Sequence, residues 1–201
     1  MAELVVFADN TNGGIITSTS ATYSIARSGA GLVAAANSVS CGQRFLSSNY
    51  TCIETFLDFD ASTLDDSVTI SAVVLSIVPL EDASTTDFTL TAAIRDYSTT
   101  LTTADWVAGA DLAALTTVAT LSTSGLVVDV YNDFVNVAFP ANLSKTTNTR
   151  IIIYSSRHSG NNTPTGREDI TCLGLGSIDP PKLTITYTLG GSGGQSSQMV
   201  L

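Results

Sequence analysis

The amino-acid sequence predicts an all-β fold, an antiparallel β-sandwich of jelly-roll type with short helical turns. Three observations predict it. Threonine and serine supply 53 of the 201 residues while lysine and arginine supply only 8. Threonine is β-branched and suits strands, whereas the long charged residues of helix surfaces are scarce. Many segments alternate apolar and polar residues with the two-residue period of a half-buried strand. About eleven short strand candidates follow one another at spacings near ten residues, separated by polar turns, which is the layout of a sandwich or jelly roll. A 44% hydrophobic fraction supports a real core, and a β domain of this length is ordinary.

Residues 51–60 and 69–78 carry the clearest pattern. In the first, Ile53, Leu57 and Phe59 fall on one face and Cys52, Glu54, Asp58 and Asp60 on the other, with Phe56 the apolar exception. That second face reads as a solvated acidic exterior. A turn through Asp65-Asp66 leads to the second strand, which is nearly continuous in apolar residues from Ala72 to Leu75 and reads as central. The rest of the sheet is expected to build onto this pair.

Residues 1–20 are expected to form an N-terminal strand and arm, 21–189 the sandwich, and 190–201 a Gly/Ser-rich tail. Residues 4–8 form the first strand, followed by the turn formers Asp9-Asn10-Thr11-Asn12-Gly13-Gly14. Their order hints at a calcium loop but misses the EF-hand spacing. Strands are predicted over 22–27, 32–36, 39–45, 88–94, 117–122, 150–156, 169–173 and 182–189. Short helical turns are predicted at 102–106, with a threonine cap, and at 111–115. Residues 126–137 have both helical spacing and high β-branched content, which favours a strand entering a turn. Residues 161–166 read as an exposed loop. The tail ends in Met199, Val200 and Leu201, an apolar terminus suited to docking on a neighbouring subunit.

A net charge of −10 and a pI of about 4.2 oppose phosphate backbones and anionic bilayers, so neither nucleic acid nor membrane is an expected partner. No apolar run approaches the roughly 20 residues of a spanning helix. Residues 1–7 have no basic flank and no long apolar run, unlike a secretory leader. If the protein works outside a cell, assembly into a particle released by lysis is one route. Three cysteines allow either three buried thiols or a Cys41–Cys52 disulfide across a hairpin.

Candidate chemistry is sparse. His158, the only histidine, lies among serines but without a nucleophile elbow, and reads as a loop residue. Glu54, Asp58 and Asp60 share a face but lack any sign of a pocket that would tune them. Asp60, Asp65 and Asp66 are compatible with calcium; no other cofactor or metal is expected. Trp106, with Tyr97 or Tyr131, is either a sugar-stacking platform or core packing. No enzyme is expected from this set.

Phe56-Leu57-Asp58-Phe59-Asp60, Leu64 and Val68-Thr69-Ile70-Ser71-Ala72-Val73-Val74-Leu75-Ser76-Ile77 together resemble the signature of the DNRLRE-type jelly-roll family. Thr103-Ala104-Asp105-Trp106 is similar to its Trp-containing turn, and Asp179-Pro180-Pro181-Lys182-Leu183-Thr184-Ile185-Thr186-Tyr187 to its closing strand. Within that family, Tyr23-Ser24-Ile25-Ala26-Arg27-Ser28-Gly29, Ser155-Ser156-Arg157-His158 and Pro164-Thr165-Gly166-Arg167-Glu168 look like tail and capsid-surface proteins of phages infecting actinobacteria. The resemblance implies a virion structural protein on the particle surface, a capsid decoration or minor tail protein. Its partners would be major capsid or tail proteins and further copies of itself. Other family members are carbohydrate-binding modules, which implies the alternative of a module gripping a host glycan.

Overall fold

The computed structural model describes residues 1–97 and 100–189. In chain order its first strands are β1 (Ala2–Phe7), β2 (Gly14–Ser20), β3 (Leu32–Ala36), β4 (Val39–Leu46), β5 (Asn49–Phe59), β6 (Thr69–Ile77) and β7 (Pro79–Asp82). They continue as β8 (Thr89–Ile94), β9 (Thr117–Ser122), β10 (Asn132–Asp133), β11 (Val135–Asn136), β12 (Thr149–Ser155), β13 (Arg167–Cys172) and β14 (Lys182–Thr188). Short helices α1 (Tyr23–Ser28), α2 (Phe139–Asn142) and α3 (Ser156–Ser159) lie between them. Two 3-10 turns, Thr103–Asp105 and Leu112–Ala114, fall where the sequence places helical turns.

Two antiparallel sheets pack as a sandwich. The smaller has the order β1-β14-β6-β10, and the larger runs β11-β9-β8-β12-β5-β4-β13-β7, with β2 branching from β5 and β3 beyond it. The fork is legible in the register. Residues 50–53 pair with both β4 and β2, so those strands flank β5 on opposite edges. Thr55 and Phe56 pair with both β2 and β12, so β12 takes over the β4 edge. At the changeover the Thr55 hydroxyl donates to Ser40 O at 2.5 Å and accepts from Ser40 N at 3.2 Å. It satisfies backbone groups that no strand reaches there.

Leu57 and Phe59 of β5, with Ile151 and Ile153 of β12, face Leu75 and Ile77 of β6 and Leu183 and Ile185 of β14, none more than 2% exposed. The two strands most prominent in the sequence therefore lie in different sheets and meet across the core. The opposite face of β5 is buried as well. Phe56, Ile16 of β2 and Ile152 of β12 are covered by Tyr97, Val107 and Leu112, with Trp106 packed alongside. Residues 95–97 and 100–116 thus form a third layer on the outside of the larger sheet.

Residues 22–27, expected as a strand, are instead the helix α1. Tyr23 and Ala26 are its buried residues and pack over Cys52. Over so short a window an i, i+3 pair and a period-two alternation are hard to tell apart. Gly29 decides it: at φ 91° it adopts the left-handed conformation that ends a helix, and its N–H donates to Ala26 O. A Cβ on Gly29 would also sit 2.6 Å from the Trp106 ring.

Residues 2–20, set apart in the sequence as an arm, supply an edge strand to one sheet and β2 to the other. Residues 126–137 are neither a long strand nor a helix. They cross between the sheets, with β10 pairing to β6 and β11 to β9 around the buried Phe134. The tail with Met199, Val200 and Leu201 lies outside the described residues.

Cys41 belongs to the inter-sheet core and Cys52 to the cluster beneath α1, on opposite sides of the larger sheet. The expected alternative of a Cys41–Cys52 disulfide therefore fails, and all three cysteines are free and buried. Burial pushes the Cys52 and Cys172 thiols up to about 12 and Cys41 well above its usual range. The folded protein should accordingly resist an aromatic disulfide reagent at pH 8. Three thiols should react in denaturant, and rapid labelling of any of them without denaturant would contradict the packing.

Candidate functional site

The aromatic residues singled out in the sequence do not form one platform. Tyr97 is buried, donates from its hydroxyl to Asn12 O at 2.8 Å and stands edge-on to Phe56. Trp106 is half-buried over Gly29, with its ring 5.5 Å from that of His158. Both belong to the third-layer core. Tyr131 is elsewhere: its hydroxyl donates to Pro180 O at 3.1 Å, and Lys182 Nζ of β14 lies 3.7 Å from its ring centre. Its surroundings belong to the smaller sheet.

The acidic face of β5 is not a solvated exterior. Glu54 and Asp58 are both 0% exposed, and only Asp60 reaches solvent. The correction has one cause: the third layer, built from residues far along the chain, covers this face.

Glu54 Oε2 accepts from Val107 N at 3.2 Å, and its Oε1 lies 3.7 Å from Nδ1 of His158, itself 0% exposed. That separation is too long for a hydrogen bond. Glu54 Oε1 and both His158 ring nitrogens have no partner among the described residues. Arg27 Nε and Nη2 donate to His158 O and Ser159 O, each at 2.8 Å. These bonds fasten α1 to α3. Gly109 lies against the pair so closely that a Cβ there would sit 2.7 Å from His158 Nε2.

Burial raises the Glu54 carboxyl well above its usual range, only partly offset by the Val107 N–H and the Arg95 charge. Burial, with the Arg27 charge, lowers His158 to about 4. Both shifts favour the neutral form, since a bare ion pair without further hydrogen bonds is poorly compensated in the interior. The neighbouring serines do not engage the imidazole: Ser155 Oγ accepts from Arg157 N and Ser156 Oγ from Thr89 N. Sealed from solvent, the pair belongs to the framework and has no route to a substrate.

A more accessible constellation surrounds Asp58. Arg150 of β12 donates from Nε to Asp58 Oδ2 at 3.1 Å and from Nη1 to Asp96 Oδ1 at 3.1 Å and Tyr97 O at 2.8 Å. Its guanidinium lies 5.6 Å from the Tyr97 ring centre. Arg150 and Asp96 line a cleft of about 740 Å³ with Asn12, Asn142, Asn148 and Ile94. The polar groups come from four separate segments, which is why sequence reading missed them. The one signal was Arg150, a cation opening an otherwise apolar strand, directly opposite Asp58 in the register.

Among the described residues no three His, Cys, Asp or Glu side chains converge closely enough to hold a metal ion. Three of the carboxylates considered for calcium serve their own turns: Asp9 accepts from Thr11 N, Asp60 from Ser62 N and Asp65 from Ser67 N. No family model matches the chain, and no curated protein matches it.

The Glu54–His158 pair sets a pH dependence with a definite sign. The unfolded chain ionises Glu54 as pH rises through its ordinary value of 4.5 while burial keeps the folded group protonated to higher pH, so stability falls as pH rises from there toward the folded pKa, by up to about 1.4 kcal/mol per unit. Between pH 6.5 and about 4 His158 opposes this, because only the unfolded chain takes up its proton. Glu54→Gln removes the alkaline decline. Urea unfolding at pH 6.5 and 8 should show the wild type losing more stability than the variant; parallel profiles would rule out a protonated Glu54.

Proposed function

We propose that the protein is a structural component of a phage particle, a sandwich displayed on the capsid or tail that stabilises it by contacts with neighbouring subunits. One observation carries this reading. Residues 127–137 are firmly held and yet present valines to solvent: Val127, Val128, Val130, Val135 and Val137 are 56, 43, 48, 68 and 60% exposed. The Asn132 side chain ties the segment down, accepting from Val127 N and donating to Val127 O and Val130 O. Asp129 N donates to Pro79 O, and Val137 N to Val118 O.

Scattered exposed valines are ordinary, but a patch held in place is a contact surface. Covering it with a partner returns roughly 25 cal/mol per Å². The resemblance of residues 23–29, 155–158 and 164–168 to phage surface proteins supports the same reading. Major capsid or tail proteins and further copies of this chain are the partners it implies.

Val135→Asp with Val137→Asp alters only exposed side chains and should leave folding within about 0.5 kcal/mol of the wild type. Mass spectrometry of purified particles should find the wild-type chain and lose the double variant. A chain absent from particles in its wild-type form would overturn the reading.

The cleft beside Arg150 favours a second reading, recognition of a host glycan. Asp96 Oδ2, Asn12 Oδ1 and Asn142 Oδ1 are left for sugar hydroxyls, because the bonds these side chains make use their other atoms. The volume lies in the range of about 300–1,000 Å³ typical of ligand sites. Arg150 is already neutralised by Asp58 and Asp96, so the cleft suits a neutral oligosaccharide over an anionic one. In a titration with neutral oligosaccharides, Asp96→Ala should weaken binding about tenfold while Trp106→Phe leaves it unchanged. Equal binding by Asp96→Ala would discard the cleft.

A further inference from the structure

The larger sheet ends on one side at β3, and the backbone pattern there is unfinished. In the β2–β3 ladder Thr17 stands opposite Val33 and Ile15 opposite Ala35. The ladder continues at both ends, where Thr19 N donates to Gly31 O and Asn37 N to Gly13 O. Antiparallel pairing alternates, so Gly31, Val33, Ala35 and Asn37 turn their backbone groups toward β2. Leu32, Ala34 and Ala36 direct their N–H and C=O groups away from it. Among the described residues β3 pairs with no other strand.

The other ends of the sheets are guarded in familiar ways. β7 begins with Pro79 and closes with Glu81 and Asp82, and Arg167 holds Glu81 at 2.8 Å. β10 and β11 are two residues each, and β1 carries Glu3. β3 reads Leu-Val-Ala-Ala-Ala, without proline or charge, and Val33 is 61% exposed. From Ser28 to Gln43 the sequence contains no Asp, Glu, Lys or Arg.

We propose that β3 is a self-association edge, on which β3 of a second copy adds antiparallel about a two-fold axis at Ala34. Charge argues for this occupant: in a chain of net charge −10, two copies approach with least repulsion where neither carries an acid. Length argues for it as well. The open edge spans only five residues, bounded by Gly31 and by Asn37, whose carbonyl accepts from Leu175 N. A strand of that same length fits it.

In the two-fold register Ala34 meets Ala34 of the second copy and Leu32 meets Ala36. The outward N–H and C=O groups of each copy satisfy those of the other, as an isologous contact requires. Val33 comes to lie beside Ala35 of the second copy, which covers its exposed side chain. Alanines along the edge leave room for the two backbones to close to strand spacing. The inference names one contact within the assembly reading proposed above, and the two can fail separately.

Light scattering on the eluting full-length protein should give twice the chain mass of 20.8 kDa. Val33→Lys and Ala34→Pro should each give the single-chain mass. Ala34→Pro removes an N–H that points away from β2, so the internal ladder is kept. Paired residues in this register have Cα atoms about 5.5 Å apart, within disulfide reach, so Ala34→Cys should form an intermolecular disulfide under mild oxidation. Val135→Asp with Val137→Asp should remain a dimer, which separates this edge from the valine surface. A single-chain mass for the wild type, a dimer that survives Val33→Lys and Ala34→Pro, or no crosslink through Ala34→Cys would each overturn the proposal.

Discussion

Burial of β5 on both faces is the constraint on which the rest of the structure depends. One face supplies Leu57 and Phe59 to the inter-sheet core, and the other places Phe56 and Cys52 beneath a third layer. That layer encloses two carboxylates, Glu54 and Asp58, in a region where an unpaired charge costs several kcal/mol. The chain resolves the two differently. Asp58 remains next to the Arg150 guanidinium, while Glu54 takes a single backbone N–H beside His158, and burial favours the neutral form of both.

The two solutions have different reach. The Glu54–His158 pair is closed off, and it lies where α1, α3 and residues 107–109 meet the sheet. Arg150 looks both ways. Its Nε donates to Oδ2 of the buried Asp58, while Nη1 gathers Asp96 and the Tyr97 carbonyl at the rim of the cleft. The polar cleft beside Arg150 is thus a consequence of how a core carboxylate is neutralised. Surfaces of different chemistry then sit apart on one acidic chain: a polar cleft, a band of valines and an uncharged strand edge. A protein that makes several simultaneous contacts in an assembly has use for such separation.

The strand content was open to reading because alternation is a local property. β9, β12 and β14 fall within a residue or so of where periodicity puts them, and both short helical turns are present. Misreadings cluster where the deciding partner is distant. α1 looked like a strand because its six residues cover too few turns to establish a period. The acidic side of β5 looked solvated because its cover begins some forty residues later, at Arg95. Trp106 and Tyr97 were recognised as worth attention, but their shared position in the third-layer core depends on a chain crossing that no local pattern encodes.

By itself the sequence determined the class of structure: a β-branched, lysine-poor chain with two-residue periodicity folds as antiparallel sheets. Such properties follow from composition and from neighbours along the chain. Tertiary structure alone decided which side of β5 is inside, that β5 and β6 face each other across the core, and that Cys41 and Cys52 lie on opposite sides of a sheet. It also decided that Arg150, Asp96 and three asparagines meet in one cleft while β3 is left open. The physical reason is common to all of these. Each depends on pairs of residues tens of positions apart, and their proximity is set by sheet order and layer packing, which hydrophobic period leaves open.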